Sequence, residues 1–188
     1  MAYLNSPLSV RSLLVCGGAR SGKSAYAQHL AETSGLKPIY IATARIWDDE
    51  MGQRVAQHRA DRDARWTTVE EPLALTRTIR TQADPDRILL VDCLTLWLTN
   101  VMLEGGPVPE ACETLASTCA ELAGPVIFVS NEVGHGIVPD NALARDFRDA
   151  QGRLNQAMAQ ACEGVIWVAA GIPQVVKPAP PPAIRFRV

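Results

Sequence analysis

The chain has 188 residues, of which 47% are hydrophobic and 20% charged, and its formal net charge is −2. That length favours a single domain with one good core. With Lys and Arg spread along the chain, it lacks the basic footprint of a nucleic-acid binder, which leaves small solutes as the natural partners.

An apolar run at 13–16 opens the pattern as a buried strand, followed by a glycine-rich turn and a helix-forming stretch over 24–33. Strand 39–43 leads to a helix over 48–62, a short strand at 66–70 and a helix over 72–83. Strand 88–93 follows, then helices from 95 to 103 and over 109–122. Strand 126–130, a helix over 141–161 and strand 165–169 complete the series. The strands are short, rich in Val, Ile and Leu, and not alternating, as in a parallel sheet covered on both faces. Strands alternating with helices predict an α/β doubly wound fold, one domain over 1–188. The Pro-rich stretch 177–183 can continue neither a helix nor a central strand and is expected to be an extended tail.

The five cysteines, Cys16, Cys93, Cys112, Cys119 and Cys162, are odd in number and show no CxxC spacing. They read as reduced thiols, with no disulfide framework and no zinc site. The first ten residues carry no long apolar segment, so no signal peptide is predicted. No run approaches 18 apolar residues, so no membrane span is predicted, and the cytoplasm is the expected location.

The turn after the first strand reads Gly17-Gly18-Ala19-Arg20-Ser21-Gly22-Lys23-Ser24. Two glycines four residues apart, then Lys and Ser, match a phosphate loop lying between strand and helix, as that motif requires. Glycines permit the tight turn, backbone N–H groups aim at phosphate oxygens, and the helix N-terminus favours the negative charge. Lys23 is expected to reach the β- and γ-phosphates and Ser24 to ligate Mg²⁺. Such a site needs a carboxylate at the end of an apolar strand, and Asp92 ends the most apolar strand in the chain. Asp92 is therefore the second metal ligand; capping the helix that follows is its alternative role.

On the helix over 48–62, Arg54, His58 and Arg62 share one face at i, i+4 and i+8. Flanking cations keep an imidazole neutral at pH 7, and a neutral imidazole can attack phosphorus to form a phosphoramidate. From residue types alone His58 could equally be a half-buried helix residue near Met51 and Val55. Of the other histidines, His29 reads as a surface residue, and His135 lies in a glycine-rich loop without an assigned catalytic role.

These motifs resemble the bifunctional adenosylcobinamide kinase / adenosylcobinamide-phosphate guanylyltransferase family of cobalamin biosynthesis. The resemblance rests on the phosphate loop, Tyr40-Ile41-Ala42-Thr43-Ala44, and Asp48-Asp49-Glu50-Met51 with Arg54 and His58. It continues through Asn131-Glu132-Val133-Gly134-His135-Gly136-Ile137-Val138-Pro139, Leu143 to Asp149, and Gly152-Arg153-Leu154-Asn155-Gln156. It implies a RecA-like P-loop fold, usually assembled into homo-oligomers, with ATP and GTP as substrates and a corrinoid as acceptor. It also implies two reactions: phosphorylation of adenosylcobinamide, then transfer of GMP from GTP through a guanylylated histidine matching His58. Gln57 stands where some relatives carry a second histidine, so His58 is the one candidate on this helix. For guanine and ribose the family pattern points to Ala42, Thr43 and Ala44, to Arg59, Ala60, Asp61 and Arg62, and to Glu70. By residue type alone Glu70 could be a surface carboxylate beside Glu71. Arg145, Arg148 and Arg153 either grip an anionic substrate or pair with Asp146 and Asp149 at helical spacing. A single-activity kinase and a RecA-like motor are the competing readings of the same phosphate loop.

Overall fold

A computed structural model of the chain describes residues 8–45, 52–53 and 62–179. His58, with Arg54, Arg59, Ala60 and Asp61, lies outside the described residues.

The elements in chain order are β1 (Ser12–Gly17), α1 (Lys23–Thr33), β2 (Lys37–Ala42), β3 (Thr67–Glu70), α2 (Leu75–Gln82) and β4 (Arg87–Asp92). They continue with α3 (Leu94–Leu103), α4 (Val108–Thr118), β5 (Val126–Asn131), α5 (Ala142–Ala161), β6 (Gly164–Ala169) and β7 (Ile172–Lys177). Seven strands form one sheet in the order β3-β2-β4-β5-β1-β6-β7. All neighbours are parallel except β6 and β7, which form an antiparallel hairpin. The arrangement is the expected α/β, RecA-like P-loop fold.

The apolar runs bury both faces because strand residues alternate sides. In β1, Leu14 and Cys16 join the larger core under α2 to α5, whereas Leu13 and Val15 join the smaller core under α1. Phe128 against Ile127 in β5, and Leu89 and Val91 against Ile88 and Leu90 in β4, divide in the same way. Ala27 and Ala31 are the fully buried positions of α1, and their small size lets that helix lie close to the sheet.

Two expectations need correction. β7 adds a strand beyond those the sequence predicts, and Lys177, where an extended tail is expected to start, is its last residue. Its ammonium donates to the carbonyls of Ala159, Gln160 and Cys162 at 3.1, 2.8 and 2.6 Å, capping the end of α5. Further, α2 begins at Leu75 rather than 72. The Glu71 carboxylate takes the N–H groups of Leu73 and Ala74 at 3.0 and 2.7 Å, so those residues serve as the helix's entry turn.

Candidate active site

The sheet sets the candidate residues in a row along its carboxyl edge. Ala42 pairs in register with Glu70 on one side and Asp92 on the other. Gly17, where the phosphate loop leaves β1, pairs with Asn131 at the end of β5. β5 lies between β4 and β1, so it separates Asp92 from the phosphate loop by one strand. In open α/β sheets, the crevice outside the carboxyl ends of the strands is where ligands bind.

The phosphate loop is tightly built. A Cβ on Gly17 would stand 2.4 Å from the carbonyl of Val168 and 2.6 Å from Ser21 Oγ, so only glycine fits. Arg20 and Gly22 take left-handed backbone with φ of 56° and 92°. For arginine that conformation is costly, as is common where a loop is shaped for a ligand. Ser21 N–H bonds Gly18 O at 3.3 Å, and the buried ammonium of Lys23 reaches back to Gly18 O at 3.1 Å. From outside, Gly171 N–H in the β6–β7 turn donates to Ser21 O at 2.8 Å, bracing the loop. Ser21 Oγ is buried without a hydrogen-bond partner among the described residues, a polar atom suited to a phosphate oxygen. α1 starts at Lys23 with no side-chain cap, so its first N–H groups also face the loop. Ala19 and Arg20 are exposed, and Ser24 is half-buried in the helix's first turn.

Across β2 and β4 the Tyr40 hydroxyl donates to Asp92 Oδ2 at 3.3 Å. Arg62 lies over the Tyr40 ring with its guanidinium carbon 3.5 Å from the centroid. Asp92 is half-buried and Glu70 exposed, as suits groups reaching a solute. Ser24 supplies a hydroxyl and Asp92 a carboxylate, oxygen donors of the kind Mg²⁺ takes.

Thr43 has a different situation from its neighbours in the stretch expected to meet guanine. It is fully buried, donates to Cys93 O at 2.7 Å and accepts from Cys93 N–H at 2.8 Å. Its carbonyl accepts from Asn100 Nδ2 at 2.8 Å, which ties the strand end to α3. Its side chain is thus spent on the scaffold, while Ala42 and Ala44 are half-buried at the edge. Arg145 donates to the carbonyls of Pro139 and Asp140 at 3.0 and 2.7 Å, and Arg148 contacts Asp149 at 3.4 Å. Both therefore have structural or surface partners, and Arg153 is exposed. Of the remaining histidines, His29 is exposed and His135, also exposed, meets Trp167 with ring centroids 5.8 Å apart and planes tilted by 46°.

Sequence reasoning gave no role to the polar cluster beneath this edge. Ser130 Oγ donates to Asn155 Oδ1 at 2.6 Å and accepts from Gln151 Nε2 at 3.0 Å, while Asn155 Nδ2 donates to Asn131 O at 3.0 Å. Two amides at i and i+4 on the face of α5 that also buries Ala150, Leu154 and Met158 were the available signal. The cluster holds the end of β5 in place.

The comparisons bear on which P-loop protein this is. Among solved structures, a protein from Pyrococcus horikoshii OT3 superposes with a TM-score of 0.53 at 9% identity, covering 89% of this chain and 87% of that one. A type III secretion system ATPase gives 0.53 at 14% identity, covering 85% of this chain and 51% of that one. These likenesses concern the fold. Among curated relatives, the bifunctional adenosylcobalamin biosynthesis protein CobP of Pseudomonas aeruginosa is 52% identical over 169 residues, 89% of this chain and 98% of the relative. CobU of Escherichia coli, described in the same words, is 38% identical over 180 residues, 88% of this chain and 99% of the relative. The model of the cobinamide kinase / cobinamide phosphate guanyltransferase family matches residues 13–176. That span takes in every candidate residue at the sheet's edge, and the chain belongs to this family of kinases and guanyltransferases.

Proposed function

We propose that the protein phosphorylates adenosylcobinamide with ATP or GTP and then transfers GMP from GTP to the phosphate it has made. The products are adenosylcobinamide-GDP and pyrophosphate. The observation that carries this reading is the phosphate loop after β1 at the same carboxyl edge where β3, β2 and β4 bring Glu70, Ala42 and Asp92 into one row. One triphosphate site then serves both reactions, with attack at the γ-phosphorus in the first and at the α-phosphorus in the second.

In the transfer step His58 attacks the α-phosphorus, the bond to the β-phosphate breaks, and pyrophosphate leaves. An oxygen of the acceptor phosphate then attacks the phosphoramidate, and the P–N bond breaks. Lys23 and Arg20 stabilise charge on the departing group, and the loop's N–H groups hold it in place. Ser24 and Asp92 are the residues that would hold Mg²⁺, which neutralises phosphate charge when bound. We assign the guanosine to Ala42, Ala44, the 59–62 stretch and Glu70; a glutamate can accept from guanine N–H groups or ribose hydroxyls.

An apolar cleft of about 260 Å³ lies beside this edge, between α3 and the start of α5. α3 follows the edge: Thr95 accepts from Asn131 N–H, and Asn100 donates to Thr43 O and Pro72 O. The cleft is lined by Met102, Leu103, Leu143 and Phe147, with Thr99 and Asn141 as its polar members. Leu103 and Leu143 are 57% and 61% exposed. A corrinoid has methyl-bearing edges and amide arms, which suit that lining. Incubation with adenosylcobinamide and GTP, followed by mass analysis of the corrinoid, tests the whole reading. It should end at the GDP adduct; a product that stops at the monophosphate would reduce the protein to a kinase.

A further inference from the structure

We propose that Glu132 is the general base of the kinase step. The inference rests on the function proposed above and assigns a role that His58 does not fill. A hydroxyl attacking the γ-phosphorus must lose its proton, and a carboxylate at the reacting edge is the group suited to take it.

Glu132 directly follows β5, the strand that lies between Asp92 on β4 and the phosphate loop on β1. Its N–H donates to Gly17 O at 3.1 Å, so its backbone is joined to the residue where the phosphate loop begins. The carboxylate is held by one oxygen: Oε1 accepts from Gly134 N–H at 2.6 Å. The ideal Cβ position of Gly134 lies 2.7 Å from that oxygen, so the turn passes close against the carboxylate. Oε2 has no partner among the described residues, and the side chain is half-buried rather than solvated at the surface.

The carboxylate's field reaches into the phosphate-loop strand. The Cys16 thiol is pushed up to about 12, first by burial and second by Glu132, with Lys23 opposing. Glu132 and Lys23 therefore both stand close to the end of β1. Among the described residues, the other acidic groups of the edge are committed elsewhere or stand far from β1. Asp92 is bonded to Tyr40, and Glu71 caps the entry to α2. Glu70 lies on the outermost strand, four strands from β1 in the sheet order.

In the step itself the acceptor O–H bond breaks and its proton passes to Oε2 of Glu132. The freed oxygen forms a bond to the γ-phosphorus. The bond from that phosphorus to the β–γ bridging oxygen breaks, and the nucleoside diphosphate leaves with the electron pair. GMP transfer to an existing phosphate involves no hydroxyl proton, so it has no need of Glu132.

The test uses Glu132→Gln, which retains an oxygen for Gly134 N–H, and Glu132→Ala with and without added formate. Kinase turnover is measured on adenosylcobinamide, GMP transfer on chemically prepared adenosylcobinamide phosphate, and affinity with a fluorescent GTP analogue. Kinase kcat should fall about 10²- to 10⁴-fold in both variants, and formate should restore part of it in the alanine variant. GMP transfer and GTP affinity should stay within roughly threefold of wild type, since the base acts in the kinase step alone. Kinase activity of the glutamine variant near wild type, or parallel loss of both activities and of GTP affinity, would overturn the assignment. Wild-type protein that makes no phosphorylated corrinoid would defeat the function itself, and this inference with it.

Discussion

The Tyr40 hydroxyl, 3.3 Å from Asp92 Oδ2, fixes how that carboxylate points at the sheet's edge. The phenol is itself clamped. Arg62 covers its face, and Trp66 meets its ring at 77° with centroids 6.2 Å apart. Trp66 in turn donates to Glu32 on α1 at 3.1 Å. Burial first, and the Asp92 carboxylate second, push the Tyr40 hydroxyl above its ordinary range despite Arg62. The phenol therefore stays a protonated donor throughout the working pH range. Partners of this kind orient metal ligands and tune their affinity.

Tyr40→Phe keeps the ring under Arg62 and removes the hydrogen bond. Mn²⁺ affinity in the GDP complex, read by electron paramagnetic resonance, should weaken about tenfold, the lower range for a bond to a charged group. Asp92→Asn, which loses the charge itself, should weaken it further while the circular dichroism spectrum stays unchanged. Equal Mn²⁺ affinity in Tyr40→Phe and wild type would leave the hydrogen bond with no part in cation binding.

Lys23→Ala should abolish both phosphorylation and GMP transfer if, as proposed, one phosphate loop serves both reactions. Loss of a preorganised cation at a transferring phosphate costs on the order of 10²-fold or more in turnover. Either activity persisting near wild type, measured with GTP as sole donor, would reveal a second nucleotide site.

Glu71 supplies a pH-dependent part of the stability. Burial alone would raise its carboxyl, but the N–H groups of Leu73 and Ala74 and the Thr78 hydroxyl hold it below the ordinary value. A depressed carboxylate stabilises the fold above its unfolded pKa of about 4.3, and the gain is lost as pH falls through the folded value. In urea melts at pH 7, Glu71→Gln should cost up to about 1 kcal/mol, as capping interactions do. The gap between variant and wild type should narrow at about pH 3; a gap independent of pH would mean that shape, not charge, matters here.

The central strands and the phosphate loop were legible because burial on both faces demands continuous apolar runs, which are visible without knowing the neighbours. β7 was not, for the opposite reason. All its residues but Lys177 are exposed, so no burial pattern marks it, and it contains Pro173, which an edge strand tolerates. Its turn, Ala170-Gly171 with φ of 50° and 79°, uses alanine where a hairpin signal would show Asn or Asp. Asp92 was legible from strand chemistry, whereas the Tyr40 hydroxyl that orients it depends on β2 and β4 being neighbours despite 52 residues of separation. Thr43 shows the same limit. Its motif points to the ligand edge, and only the fold shows that its hydroxyl is bonded to the Cys93 backbone 50 residues away.

The apolar cleft makes a separable claim. Leu143→Asp places a charge among Met102, Leu103 and Phe147 on a side chain that is already 61% exposed, so the fold should tolerate it. KM for adenosylcobinamide should rise roughly tenfold, the worth of one lost apolar side-chain contact, while KM for GTP holds. An unchanged corrinoid KM would move the acceptor site elsewhere along the edge.

The central claim is a histidine-bound GMP at His58, and retention of label from α-³²P-GTP after denaturation tests it most directly. Wild-type protein should retain label that is acid-labile and base-stable, as a phosphoramidate is. His58→Ala should retain none and make no GDP adduct, yet still phosphorylate adenosylcobinamide, because that step uses the substrate's own hydroxyl. Label persisting in His58→Ala would contradict the account by showing that another side chain attacks the α-phosphorus.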